Sequence, residues 1–596
     1  MNAPVPTSAA APAVRRNAAP GDHALAERLR RAIAGEVLFD AGSRGRYSTD
    51  ASIYQIEPIG VVVPKSDEDV KAALAIAREE RLPVLPRGAG TSQCGQTVGE
   101  ALVIDGSKFL NKVVAFDKDA RTVTVEPGIV LDHLNAWLKP HGLWFPVDVS
   151  TSAQATIGGM AGNNSCGARS IEYGNMVHNV LGVDAILADG AEAHFGPLAE
   201  AKKSNVLAPV AARLEAIALG ARDEIARMYP KVLRRVGGYN LDIFHPQSVR
   251  PYTADGSVNL AHLLVGSEGT LAYSRRITLR LSPLPKHKVL GVVNFPSFYR
   301  AMELTQHVVK LAPAAVELVD RTMIDLAREN PAFRPIVDAA LIGKPEALLL
   351  TEFAGEDRAE QIARLKRLVE LMGDLGLPGS VVEMTEPGPQ RDLWEVRKAG
   401  LNIMMSMKGD GKPVSFIEDC AVPLEHLADY TQRLTDVFAK HGTRGTWYAH
   451  ASVGTLHVRP ILDMRRDGAA KMRAIAEEAA AMVRAYKGAY SGEHGDGLVR
   501  SEWVAWQFGP KLARAFEEVK AALDPEGRMN PGKIVRPPKM DERALFRFKP
   551  GYATPPVETA LDWSEWATRE NANGFAAAVE MCNNNGHCRK FDAGTM

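Results

Sequence analysis

Three scarcities narrow the reading of this 596-residue chain before any motif is considered. Cysteine is scarce: Cys94, Cys166, Cys420, Cys582 and Cys588 make five, an odd number with no secretory apolar segment ahead of them. That argues against a disulfide framework and for a reduced, cytoplasmic setting. Net charge is absent, because 71 Lys plus Arg balance 71 Asp plus Glu. No global field therefore draws the molecule to nucleic acid or to an anionic membrane, and an anionic ligand has to be attracted locally. Long apolar runs are absent too; no 18-residue stretch suits a bilayer, which excludes a spanning helix and leaves peripheral attachment open.

What is present is ordinary globular composition, 46% hydrophobic and 24% charged, in a chain too long for one core. The opening 1–22, rich in Ala and Pro, reads as a disordered tail. From residue 56 a β-branched run, a Ser-capped helix and a second strand (IGVVVPKSDEDVKAALAIAREERLPVLPRGAG) begin an α+β domain that extends, with the helix before it, over 23–285. After LSPLPKHK the composition changes. Amphipathic helices such as DRAEQIARLKRLVELMGDLG alternate with strands such as ALLLTEFAG, which predicts a second α+β domain over 286–535. Residues 536–570 are Pro-rich and read as a connector, and 571–596 form a short segment of new character with two cysteines. No internal repeat is visible.

The nicotinamide fingerprint is missing as well. In PRGAGTSQCGQ the glycines fall at Gly88, Gly90 and Gly95, which is not G-x-G-x-x-G, and no acidic residue stands in the ribose position. The loop does offer consecutive backbone N–H groups, a nest for phosphate. A second glycine-dense stretch, TIGGMAGNNSCGARSIEYG, and a third, GSEGTLA, suggest an extended ligand with a pyrophosphate.

Together with NPGKI near the end, and in this order, these motifs resemble the PCMH-type FAD-binding domain of vanillyl-alcohol-oxidase flavoproteins, in the FAD-linked D-2-hydroxyacid dehydrogenase branch. The resemblance covers roughly 56–535 and implies a two-subdomain FAD-binding domain followed by an α+β FAD-linked oxidase C-terminal domain. It implies that Arg87, Gly88, Ala89, Gly90, Thr91, Ser92 and Gln93 wrap the FAD pyrophosphate. Thr156, Gly158, Gly159, Asn163 and Ser165 would line the same cofactor, with Ile186 near the adenine and Gly269 and Asn530 as further contacts. No His or Cys stands at a tethering position, so the FAD is expected to be non-covalent.

The second half supplies histidines. YAHASVGTLHVRP reads as two short strands about a turn at Val453 to Thr455, which lets His450 and His457 converge despite their seven-residue offset. SGEHGDG adds Glu493 and His494 on a glycine-flexed loop. Two His and one carboxylate form a set found around catalytic Zn²⁺ with an open coordination position. The resemblance assigns His450, His457 and Glu493 to a divalent metal, Zn²⁺ or Mn²⁺, and His494 to the general base. It places Arg397 on the substrate carboxylate. Two departures stand out. Leu401 occupies the place of a Thr in the D-2-hydroxyglutarate enzymes, and FIEDCAVP lacks their lysine, for which Lys412 is the candidate substitute.

CNNNGHCRKFDAGTM resembles the start of an iron–sulfur segment in which Asn585 replaces the second cysteine, so Cys582 and Cys588 give only part of a [4Fe–4S] site. Two free thiols in a flexible tail is the other reading of those residues. On the first reading the chain is a fragment or a shortened gene product, and a cluster is expected only in a full-length form. The function implied is FAD- and metal-dependent oxidation of D-lactate or D-2-hydroxyglutarate, with electrons passing to an iron–sulfur or quinone-linked acceptor. The alternatives are an O₂-using oxidase of the same fold and a non-catalytic electron-transfer flavoprotein. A homodimer and attachment at the inner face of the membrane are compatible with the sequence.

Overall fold

Three sheets organise the chain, which a computed structural model describes over residues 18–400, 404, 407–554, 557–568 and 574–582. The first holds β1 (Glu36–Leu38), β2 (Gly60–Val63), β3 (Val84–Arg87) and β4 (Leu102–Asp105) in the order β1-β2-β4-β3. β2 and β3 both run parallel to the central β4, so the connection between β2 and β3 has to cross over. The helix Asp67–Glu79 makes that crossover. It starts where Ser66 Oγ accepts the Asp69 N–H, and three acidic residues in its first turn complement the helix dipole.

The second sheet is antiparallel and joins β5 (Val113–Asp117), β6 (Thr122–Val125), β8 (Val180–Ile186), β9 (Glu192–Phe195) and β10 (Tyr273–Arg280) in the order β5-β6-β10-β8-β9. A short pair, β7 (Leu143–Trp144) with β11 (Ser282–Pro283), closes its edge.

The third sheet contains β12 (His287–Phe295), β13 (Ala315–Asp320), β14 (Ala347–Gly355), β15 (Val381–Met384), β16 (Lys412–Pro413), β17 (Gly445–His450) and β18 (Thr455–Leu462). Every pair is antiparallel, in the order β15-β12-β14-β13-β17-β18-β16. One face packs Val289, Leu318 and Leu349 against the helices Phe298–Val308, Arg358–Asp374 and Leu427–Lys440, forming the largest core. The opposite face carries Leu290, Leu348 and Val319 under the helices Arg321–Glu329 and Pro387–Lys398. Charged residues on that second face form the site described below.

Two expectations change here. The long helix Gly497–Leu523 kinks at Gly509 and Pro510, and its second half packs Leu512, Phe516 and Val519 into the core of the five-stranded sheet. The chain then returns to the first sheet, where Val84 N–H donates to Arg528 O at 2.8 Å and Asn530 N–H to Val84 O at 2.7 Å. Residues 497–534 thus complete the first domain's core although they follow the second domain in sequence. The stretch from 536, read as a connector, is docked as far as residue 547. Met540 and Phe546 are buried apolar anchors in a polar run, and backbone bonds join Gln55 to Leu545 and Arg547 to Ile53. Positions 1–17 of the expected tail and 583–596 of the C-terminal segment, Cys588 included, lie outside the described residues. Cys582 is exposed.

Candidate active site

The loop after β3 and the turn that opens the helix Ile157–Asn163 face each other across an elongated cavity. Their close approach depends on glycine. A Cβ on Gly88 would meet Thr156 Oγ1 at 2.2 Å, and one on Gly158 would meet Pro127 Cβ at 2.6 Å. Gly162 is different: a Cβ there would enter open space, and the residue lines the cavity. Arg87, Gly88, Ala89, Gly90, Thr91, Ser92 and Gln93 line it on one side, and Thr156, Gly158, Gly159, Asn163 and Ser165 on the other, with Gly269 between. Backbone-rich walls pinned by glycine suit a dinucleotide, so the residues present fit FAD.

Two expected contacts are elsewhere. Ile186 is fully buried in β8 beside Tyr273 and belongs to the core behind the cavity. Asn530 is buried beneath the wall, where its Nδ2 donates to Gln96 O at 3.0 Å and Glu268 O at 2.7 Å. Its part is to hold the cavity's backbone. The Arg87 side chain likewise spends its donors on Tyr47 O, Thr97 O and Thr49 O, leaving its backbone to line the cavity.

A second cavity of about 460 Å³ opens between the domains and is lined by Ser150, Arg169, Lys288, Glu317, Arg397 and His450 among others. Glu493 and His494 line the first cavity and His450 the second, so the histidine cluster stands where the two meet. Strand register explains the convergence. β17 and β18 form a hairpin through the turn Ala451–Val453, with Tyr448 opposite His457 and His450 opposite Thr455. His450 and His457 are therefore diagonal neighbours on one face.

Glu493 Oε2 lies 3.2 Å from His450 Nε2 and 3.5 Å from His457 Nε2. An ion bound at about 2.1 Å in tetrahedral geometry keeps its ligand atoms about 3.4 Å apart, so these donors fit a single divalent cation. The neighbours prepare the set. His450 Nδ1 contacts Glu317 Oε1 at 2.6 Å, which fixes the tautomer and frees Nε2. Burial opposes the charge on Glu493, but His450 and Arg234 prevail and hold its carboxyl well below the usual range. Burial drives His457 the other way, toward the neutral, ligand-competent form.

Five residues around the site escaped the sequence reading. Arg234, fully buried, donates to Glu493 Oε2 at 2.6 Å, and Glu317 bridges His450 to Arg397 Nη2 at 2.6 Å. Glu418 Oε1 contacts His494 Nδ1 at 2.9 Å, while Asp419 Oδ2 accepts the backbone N–H of Glu493 at 2.8 Å and of His494 at 2.5 Å. Arg500 neutralises both acids at 2.7 and 2.8 Å. Only FIEDC, two acids inside an apolar run, gave a local hint, and the reading there sought a lysine.

Arg397 lines the second cavity and its Nε is buried without a hydrogen-bond partner. Lys412, the candidate substitute for the missing lysine, lies on the edge strand β16, where it donates to Met407 O and contacts Met581 Sδ, and it lines neither cavity. Its burial there lowers its pKa. Leu401 is outside the described residues.

Fold and site together define a two-domain FAD-binding flavoprotein. The FAD binding domain model matches residues 58–196 and the model of the C-terminal domain of FAD linked oxidases matches residues 284–534. The chain is 32% identical over 591 residues to the D-2-hydroxyglutarate dehydrogenase of Escherichia coli, covering 96% of this chain and 56% of that protein. It is 28% identical to the glycolate oxidase subunit GlcD of Bacillus subtilis (84% and 95%) and 28% to the D-lactate dehydrogenase of Archaeoglobus fulgidus (80% and 91%). A solved 4-ethylphenol oxidase of Gulosibacter chungangensis shares the fold, with a TM-score of 0.62 at 15% identity over 87% of this chain and 98% of that one. The chain thus joins an FAD binding domain to the C-terminal domain of FAD linked oxidases. It spans about half the length of the D-2-hydroxyglutarate dehydrogenases it matches.

Proposed function

We propose that this chain oxidises a D-2-hydroxy acid, D-lactate or D-2-hydroxyglutarate, to the 2-oxo acid. FAD sits non-covalently in the first cavity, and Zn²⁺ or Mn²⁺ sits on His450, His457 and Glu493. One observation carries the reading: the histidine–carboxylate cluster stands between a glycine-walled cavity and a cavity lined by Arg397. Arg397, at the wall of the second cavity, binds the substrate carboxylate, and Glu317 holds the guanidinium in place. His494 takes the hydroxyl proton at Nε2, since Glu418 occupies Nδ1. Bound metal supplies Lewis acidity at the hydroxyl, and bound FAD supplies the hydride acceptor.

The onward acceptor in this reading is an iron–sulfur or quinone-linked partner, in the cytoplasm or at the membrane's inner face. No helix among the described residues is long and apolar enough to cross a membrane. The test is anaerobic flavin bleaching of FAD- and metal-loaded protein by D-lactate, D-2-hydroxyglutarate and their L-enantiomers. Bleaching by a D-acid, lost on chelation, is expected. Bleaching that survives complete metal removal would overturn the metal's role, and rapid reoxidation by O₂ with peroxide release would favour the oxidase.

A further inference from the structure

The second cavity contains a cation that the proposed chemistry does not use. Lys288 in β12 lines it together with Arg397 and His450. The side chain is two-thirds buried, and among the described residues its ion-pair neighbour is Glu352 Oε1, 3.7 Å away and beyond hydrogen-bond reach. Glu352 is already engaged. Arg169 donates Nε to its Oε1 at 2.7 Å and Nη2 to its Oε2 at 2.6 Å, and gives Nη1 to Asp148 at 2.6 Å. The Arg169 fork is thus spent on two carboxylates, and the three N–H donors of Lys288 are not. Trp144 lies 6.0 Å from the ammonium and shields one side. Burial lowers the Lys288 pKa, with Glu352 only partly offsetting it, as expected for an ammonium short of an anion.

Strand register sets where this cation stands. Lys288 pairs with Ala354, Glu352 with Ala315, and Leu318 with Ala449. By alternation, Lys288, Glu352, Glu317 and His450 share one face of the sheet, one on each of the neighbouring strands β12, β14, β13 and β17. Across the sheet β12 lies about 10 Å from the strand of Glu317, and the register sets Lys288 four residues further along, so their Cα atoms are about 17 Å apart and only long side chains bring the heads of Lys288 and Arg397 into one cavity. A hydroxy acid whose carboxylate sits on Arg397 would leave a methyl group far short of Lys288. A second carboxylate on a short chain would approach it.

We infer that Lys288 forms a distal anion subsite and makes this chain selective for D-2-hydroxy dicarboxylates over monocarboxylates. The inference rests on the reading of the cavity as a substrate site. It replaces the edge-strand Lys412 as the second carboxylate contact.

The test uses FAD- and metal-loaded wild type, Lys288→Ala and Lys288→Arg, with flavin content and unfolding midpoint checked first. For D-2-hydroxyglutarate, kcat/KM is expected to fall about 10- to 100-fold in Lys288→Ala, mostly through KM, and to stay within about fivefold of wild type in Lys288→Arg. D-lactate turnover should change less than about twofold. Equal losses on both acids, or none on D-2-hydroxyglutarate, would overturn the subsite. Binding of inert glutarate, followed by perturbation of the flavin spectrum, reads the subsite without turnover. If wild type binds glutarate, Lys288→Ala binds it weakly and neither oxidises any D-2-hydroxy acid, the subsite stands and the oxidation reading falls. Glutarate binding unchanged by Lys288→Ala overturns the subsite whatever the activity.

Discussion

Two of the three side chains proposed to bind metal have a buried partner, Glu317 on His450 and Arg234 on Glu493, and each partner can be tested alone. Glu317 orients His450 through Nδ1 and anchors Arg397 through its other oxygen. Removing its charge in Glu317→Gln should weaken metal retention about 10- to 100-fold, measured by competition with a chelator, while FAD content is unchanged. Metal binding equal to wild type would show that the His450 tautomer is set elsewhere. His494→Ala should slow flavin reduction by substrate about 10²- to 10⁴-fold with FAD still bound, and rapid-mixing absorbance is the check. Glu418 acts through His494 as a positioning residue. Glu418→Gln leaves a buried Arg500 short of one counter-charge, so a drop in unfolding midpoint should accompany the loss of rate.

At the scale of elements, the cofactor cavity depends on how closely the helix Ile157–Asn163 approaches the 127–128 turn. Gly158→Ala would place a methyl 2.8 Å from Pro127 O, and Gly158 N–H already donates to that oxygen at 2.7 Å. Neither side can yield without moving backbone. The variant should lose about 1–3 kcal/mol of stability and much of its FAD, measured by thermal unfolding and flavin absorbance. Gly162→Ala should fold normally, since its Cβ meets nothing, and its cost should appear only in FAD affinity. Normal FAD affinity in both variants would mean that the cofactor does not occupy this cleft. The glycine loops themselves were legible because turns need residues without a Cβ. The return of residues 528–530 to pair beside β3 was not, because an edge pairing across more than 400 residues has no local period.

For the whole molecule, the balance of buried titrating groups predicts a stability profile. Burial holds Glu268 at about 8, Asp320 at about 7 and Asp496 at about 6. A carboxyl with a folded pKa above its unfolded value carries an extra proton in the folded state, so its contribution fades as pH rises through the folded value. Buried His178 and His262, pushed down to about 3 and 4, act oppositely: their contribution is complete above the unfolded value near 6.5 and is lost as pH falls. Arg169 holds Glu352 near 2 against the penalty of burial, so its share is present above about 4.5 and lost below. Three carboxyls outweigh two histidines up to about pH 6, and the slopes cancel between about pH 6 and 6.5. The unfolding midpoint should be flat there and decline toward pH 8.5 and below pH 4.5. A midpoint still rising from pH 6.5 to 8.5 would contradict these assignments.

The sequence by itself determined the cofactor class, and it named His450, His457 and Glu493, which the fold brings together. Those features rest on local chemistry: glycines where backbone must approach a phosphate, and histidines placed across a two-strand turn. Only the tertiary structure decided which charges serve them. Arg234, Glu317, Glu418 and Lys288 are charged residues beside apolar runs, and their sequence does not separate them from surface charges until strand register and domain packing remove water from around them. Register likewise moved Lys412 to an edge and brought Lys288 onto the face of His450. Burial makes each such charge costly unless paired, so the site's electrostatics were set only when the strands were assembled.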